Sequence, residues 1–468
     1  MDSRTRRLLE APIVPTLLRL AAPNVLVMLV QASTGLIETY FIAGLGTDAL
    51  AGMALVFPLV MTIQMISAGA MGGGIMSAVS RTLGADRRQD ANALVWHASA
   101  IGLVLGAGTT AAAIGFGPWL YAAMGGRDGS LSAALTYSHV VFAAAPFMWL
   151  FNSLAAVIRG TGNMMLPATV MVLGALVMIP ASPALIFGFG PLPAFGIVGG
   201  ALVFVAFYVV GTVVFAWYLW SGRGVLAPSP RPPRLAWAPL ASILRVGVVS
   251  SLVSLSTNVT ILVATAFAGR FGPEAVAGYG TGARLEYLLV PLVFGLGAPI
   301  GALVGTAIGA GDRRRALTSA WTGAAIAGVM TEAIGLAAAF YPAGWLGLFG
   351  HEPAMLETGS AYLRVVGPFY GAYGAGLALY FASQGAGRVG WPLVAGIVRM
   401  IVAVGGGWLA IQAGYGLEGV FLALGLALTV FPIVNASAIA AGTWFADRPG
   451  TAVRAPVVGP ISAPAKPS

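Results

Sequence analysis

Between Leu17 and Arg88 the chain runs two long apolar segments around a tight GTDALAG turn and ends in a basic loop, SRTLGADRRQD. It then does the same thing again at an offset of 226 residues. Over residues 17–52, 13 of 36 positions are identical to their counterparts without a gap, among them Leu18-Arg19 with Leu244-Arg245 and Gly46 with Gly272. The basic ends match as Asp86-Arg87-Arg88 and Asp312-Arg313-Arg314, and farther on Trp119-Leu120 matches Trp345-Leu346. The signal Gly160-x-Gly162 with Pro167 returns as Gly385-x-Gly387 with Pro392. A repeat of this regularity constrains the fold before any local motif does. One difference stands out: Glu38, the carboxylate inside the first apolar segment, aligns with Ala264.

What surrounds the repeat is equally apolar. Of 468 residues 58% are hydrophobic and only 8% charged, against roughly 25% charged in soluble domains. A chain of this length has no soluble way to hide so much apolar surface, so it belongs in a membrane. The apolar runs are continuous rather than alternating, which selects helices over a β-barrel. The 65 glycines favour close helix–helix approach in lipid. With no cysteine, disulfides and thiolate metal sites are excluded.

The runs divide into twelve expected spans: 14–43, 49–80, 91–115, 134–159, 164–188, 196–220, 239–269, 274–308, 315–341, 357–384, 391–413 and 416–445. The reading is therefore an all-α integral membrane protein with two six-helix lobes related by a pseudo-two-fold axis along the membrane normal. The organisation is an N-tail 1–13, an N-lobe 14–220, an exposed Pro- and Arg-rich linker 221–238, a C-lobe 239–445 and a disordered tail 446–468. The N-terminus lacks a small-residue cleavage site and reads as a retained signal-anchor. Arg4, Arg6 and Arg7, the even-numbered loops (Arg81, Arg87, Arg88, Arg159, Arg223, Arg231, Arg234, Arg313, Arg314, Arg315, Arg388) and the tail (Arg448, Arg454, Lys466) hold nearly all the basic residues near span ends. The odd-numbered loops hold Arg127 and Arg270. The positive-inside rule then puts both termini in the cytoplasm of an inner-membrane protein. It also accounts for the net charge of +9 without a nucleic-acid partner.

Several of these stretches resemble one family. Pro23, an acidic residue late in the first span, GLGTDALAG and LGADRR are similar to the multidrug and toxic compound extrusion (MATE) transporters of the MOP flippase superfamily. GYGTGARLEYLLVPLVFGLG, IGAGDRRRA and the RGTGN…P turn are similar to the same family. The resemblance covers about residues 15–445. It implies a V-shaped cleft between two lobes and export driven by a proton or sodium gradient. Two positions depart from the family pattern. Glu38 stands where an Asp is usual, and MIPASPALIFG puts Met178 and Ser182 where many members carry an Asn and an Asp in the fifth span.

Charges inside spans are costly and face a cavity or a partner. The expected ion-coupling residues are Glu38, Glu286 and Glu332. A carboxyl group in an apolar cleft favours its neutral form, so it can carry a proton. Tyr40, Met61, Gln64, Met65, Asn152, Asn258 and Arg284 are the expected cleft-lining residues. Met61 and Met65 continue a stripe with Met53 and Phe57 of the kind that adapts to varied apolar ligands. Positions two apart do not share a helix face, so Arg284 needs a partner other than Glu286. Arg399 lies deep in its span and asks for an acid, whereas Arg19, Arg245 and Arg364 can snorkel. His97 reads as packing.

No Walker loop, zinc motif or nucleophile elbow is present, so the chain reads as no enzyme, with no cofactor beyond H+ or Na+ as coupling ion. The expected function is ion-coupled antiport of amphiphilic or cationic small molecules by a monomer in the bilayer, with the proton favoured over sodium. The alternative is a flippase for lipid-linked precursors, which calls for a wide basic lumen; a receptor or structural protein comes third.

Overall fold

A computed structural model gives the architecture. It describes residues 1–191 and 193–445, apart from the side chains of residues 29, 31–34, 36 and 287. The tail 446–468, with Arg448, Arg454 and Lys466, lies outside the described residues.

Each apolar run becomes a helix or a pair of helices. In the N-lobe these are α2 (Ile13–Ala43), α3 (Thr47–Gln64), α4 (Gly72–Gly84), α5 (Arg88–Ala123), α6 (Asp128–Ala143), α7 (Ala145–Gly160), α8 (Met165–Phe187) and α9 (Ile197–Trp220). In the C-lobe they are α10 (Trp237–Gly269), α11 (Pro273–Gly309), α12 (Arg313–Phe340), α14 (Pro353–Val366), α15 (Tyr370–Gly385), α16 (Gly390–Gln412) and α17 (Gly416–Ala440). Short helices α1 (Ser3–Glu10) and α13 (Pro342–Leu346) lie outside the spans. Among the described residues ten helices are long and apolar enough to cross a membrane, and α6 with α7 form an eleventh, bent by 48°. α2 completes the twelve.

The repeat is visible in the packing. α2 packs on α8 as α10 packs on α16, α3 on α6 as α11 on α14, α5 on α7 as α12 on α15, and α8 on α9 as α16 on α17. The turns also correspond. Gly46 and Gly272 sit at φ 106° and 108° before α3 and α11, a left-handed conformation that a β-carbon disfavours.

Three features depart from the expected outline. The spans at 134–159 and 357–384 are broken, one at Ala144 and the other by a 3₁₀ turn at Gly367–Phe369. The second span is interrupted by a π-helical stretch, Met65–Met71. The linker 221–238 is not free chain. Arg88 Nε donates to the Val225 carbonyl at 2.7 Å, the Ala227 N–H to Asn92 at 2.9 Å, Trp96 Nε1 to the Ser229 carbonyl at 3.0 Å and the Ala236 N–H to His97 Nε2 at 3.1 Å. These bonds hold the linker along α5, and His97 serves that attachment.

The lobes meet at the arginine-rich end. There α4 packs on α10, α11 and α15, and α2 packs on α11. A β-carbon at Gly84 or Gly309 would collide with backbone of the facing lobe, so glycine is what lets α4 and α11 touch. Ser77 Oγ donates to the Gly385 carbonyl at 2.8 Å, Arg81 to the same carbonyl at 3.3 Å and to Ser242 Oγ at 3.3 Å. Buried Gln384 reaches from α15 to the Gly69 carbonyl of the π-helical stretch at 3.3 Å. α1 straps this end. Leu8 is buried against both lobes, and Arg315 of α12 donates to the Leu8 and Ala11 carbonyls at 2.7 and 2.6 Å, capping the C-terminus of α1.

Candidate functional site

Glu38 lies on α2 five residues before its last residue, and 9% of it is exposed. Its Oε1 accepts a hydrogen bond from Tyr137 Oη of α6 at 3.2 Å. Gly200 of α9 leaves the space beside it open: a β-carbon there would come within 3.8 Å of the same oxygen. Tyr208, two turns on along α9, is buried in the same lobe. Gln64, the last residue of α3, donates to Tyr208 Oη. Asn152 of α7 donates to Gln64 Oε1 at 3.3 Å and to Ser67 Oγ, in the π-helical stretch, at 2.8 Å. Five helices thus gather a carboxylate, two phenols and two amides in the interior of one lobe. Among the described residues no cation comes within ion-pair distance of Glu38. Buried polar groups must be partnered, and here they partner one another in two sets: Tyr137 with Glu38, and Tyr208, Gln64, Asn152 and Ser67 in a line that ends in the π-helical stretch. Tyr137, Tyr208 and Ser67 were not singled out from the sequence.

The C-lobe carries a second cluster. Tyr362 Oη of α14 donates to Glu286 Oε2 of α11 at 3.2 Å. Glu286 faces a cavity of about 30 Å³ lined also by Thr257, Thr260, Tyr279 and Arg399. That holds a water or an ion, whereas drug-sized pockets run to several hundred Å³.

The other expected residues are placed elsewhere. Arg284 and Glu286 do not pair: Arg284 is exposed with its guanidinium 5.3 Å from the centre of the Phe349 ring. Glu332 Oε2 accepts the Gly371 N–H at 2.6 Å and so caps the start of α15. Asn258 is exposed and donates to the Ser254 carbonyl of its own helix at 3.2 Å. Tyr40 is 76% exposed, on the opposite side of α2 from Glu38. In the methionine stripe Met53 is buried, while Phe57, Met61 and Met65 are each 41–43% exposed. Met178 and Ser182 are both buried on α8.

Comparison with known proteins agrees with this architecture. The MatE family pattern matches residues 23–184 and 250–409. The FAD transporter of Shewanella oneidensis is 28% identical over 422 residues, spanning 89% of this chain and 92% of that one. The multidrug export protein MepA of Staphylococcus aureus is 26% identical over 61% of this chain and 63% of its own length. A multidrug resistance MATE transporter in an outward-facing conformation superposes with TM-score 0.84 at 25% identity, over 94% of this chain and 99% of that one. A MOP superfamily transporter from Pyrococcus furiosus gives 0.86 at 24% identity over 96% and 100%. Duplicated six-helix lobes, the family pattern spread over both of them and full-length structural likeness lead to one conclusion: this chain belongs to the MatE family of multi-pass membrane transporters.

Proposed function

We propose that this protein is a secondary active exporter of amphiphilic, cationic small molecules, with protons as the coupling ion and Glu38 as the coupling group. The observation that carries this reading is a buried carboxyl group held by a phenol inside the N-lobe, with no cation paired to it among the described residues. One such group binds one proton or one cationic substrate, and competition for it supports antiport. Sodium favours several converging oxygens, and the fifth span offers only Ser182 where the family often has Asn and Asp. With the arginine-rich end in the cytoplasm, the contacts around Gly84 and Gln384 close the inner side, leaving Glu38 in the half nearer the exterior. Protonation there, followed by opening of the inner side, completes an alternating-access cycle.

Expression in an efflux-deficient host tests this. Ethidium accumulation should fall, and an imposed inward proton gradient should drive export in vesicles while a sodium gradient at constant pH does not. Unchanged accumulation across a broad panel of cations excludes the reading. The similarity to an FAD transporter supports a second one, export of a dinucleotide; FAD efflux from loaded vesicles, with no effect on cations, would select it.

A further inference from the structure

The C-lobe cluster contains a charge that the mechanism above does not use. Arg399 of α16 is only 4% exposed. Arginine stays charged in proteins, and a buried charge without compensation is strongly unfavourable. What touches Arg399 is neutral. Its terminal nitrogen donates to Thr257 Oγ1 at 2.8 Å, and its guanidinium lies 5.3 and 5.6 Å from the ring centres of Tyr373 and Phe431. Among the described residues its Nε has no hydrogen-bond partner. Among the described residues no acid lies within 4 Å of it. The acid that shares its cavity, beyond ion-pair distance, is Glu286.

Among the described residues the other titratable groups around Glu286 are Tyr279 of its own helix, Tyr362 of α14 and Tyr370 and Tyr373 of α15, all phenols. α10 brings only Thr257 and Thr260, and α17 only apolar side chains. The N-lobe has no counterpart of the arginine. α8 and α16 begin at Met165 and Gly390, so Arg399 corresponds to Gly174, whose side-chain space is taken by Phe207.

Deepening the reading above, we propose that Arg399 is a tethered cation for Glu286: it neutralises the C-lobe carboxylate from within the chain and leaves the coupling ion to Glu38. Arg399 is then a positioning residue that sets how many ions the transporter carries, and replacing it should free Glu286 to act as a second site.

The test uses the full-length chain purified in detergent and reconstituted in vesicles, with wild type, Glu286→Gln, Arg399→Gln, Arg399→Lys and the Glu286→Gln/Arg399→Gln pair. Thermal melting reads the pair directly. Each Gln single variant should lower Tm, and the double variant should recover at least half of the larger loss, because it buries no lone charge. Losses that simply add overturn the proposal. Protons moved per ethidium, followed with a pH-sensitive dye, read the consequence. Glu286→Gln should match wild type, Arg399→Gln should gain a second proton per cycle, and Arg399→Lys should restore the wild-type count. An Arg399→Gln count equal to wild type, or an altered count in Glu286→Gln, overturns the proposal. If wild type moves no protons with ethidium, the functional reading above fails, and the melting cycle alone still decides the pair.

Discussion

α6 and α14 occupy the same place in the two lobes, and the tenth residue of each is a tyrosine, Tyr137 in one and Tyr362 in the other. Each phenol donates to a carboxylate at 3.2 Å. The carboxylates themselves do not correspond: Glu38 stands on α2, the first span of its lobe, and Glu286 on α11, the second span of the other. In the N-lobe the other polar groups, Tyr208, Gln64 and Asn152, bond among themselves. Around Glu286 stand phenols and a buried arginine. The two lobes share the scaffold and the phenol, but the carboxylate stands on a different helix in each, and among the described residues in only one lobe does a buried arginine share its cavity. On the proposed reading, two copies of one architecture divide labour, one lobe responsive to an external ion and the other balanced internally.

The largest expected effect on this comparison comes from Glu38→Gln, which should reduce proton-coupled ethidium export to the background of empty vesicles without lowering Tm; Glu38→Asp should keep part of the activity. Export by Glu38→Gln at the wild-type rate would remove the N-lobe from the mechanism.

Next comes the seam between the lobes. A β-carbon at Gly74 would lie 2.6 Å from the Ile243 carbonyl. Gly74→Val should therefore disfavour the closed arginine-rich end by about 1–3 kcal/mol, the usual range for overpacking. That is a tenfold or greater change in population at the centre of the range. The chain has no native cysteine, so paired spin labels near Arg87 and Arg313 can be introduced without background. Distances unchanged by Gly74→Val would argue that this end does not open.

A smaller and more discriminating comparison is Tyr137→Phe with Tyr362→Phe. Each removes one hydrogen bond to a carboxyl group, worth about 0.5–3 kcal/mol. In the N-lobe the loss should appear mainly as slower export and a displaced pH profile, in the C-lobe mainly as a lower Tm. Identical behaviour of the two variants would erase the proposed division between the lobes.

The smallest effects should come from groups that only hold helices. Arg315→Ala removes the cap from α1 and should cost about 1 kcal/mol, seen as faster hydrogen exchange over residues 3–10. Glu332→Gln keeps an acceptor for the Gly371 N–H and should export at close to the wild-type rate. A large transport defect in Glu332→Gln, with an unchanged Tm, would move this residue into the coupling machinery.

The sequence alone determined the class, the number of spans and the two-lobe plan, because apolar length and a repeat at near-constant offset are one-dimensional properties. It also pointed to Glu38, since a carboxylate in an apolar run is conspicuous without any neighbours. It could not decide which polar residues join it. Asn152 and Asn258 look alike in the chain, yet one is buried against Gln64 and the other turns back on its own helix. Arg284 and Arg399 are both arginines within spans, yet one rests on an exposed aromatic ring and the other shares a cavity with Glu286. Tyr137 could have been found by carrying the repeat through the break between Trp119 and Gly160, where the offset changes from 226 to 225. What no alignment could supply is which helix faces which. Hydrogen bonds across 70 to 100 residues of chain, such as Tyr137 to Glu38 or Tyr362 to Glu286, depend on the rotation of each helix about its axis. Packing sets that rotation, through glycines that admit a neighbour and bulky side chains that exclude one.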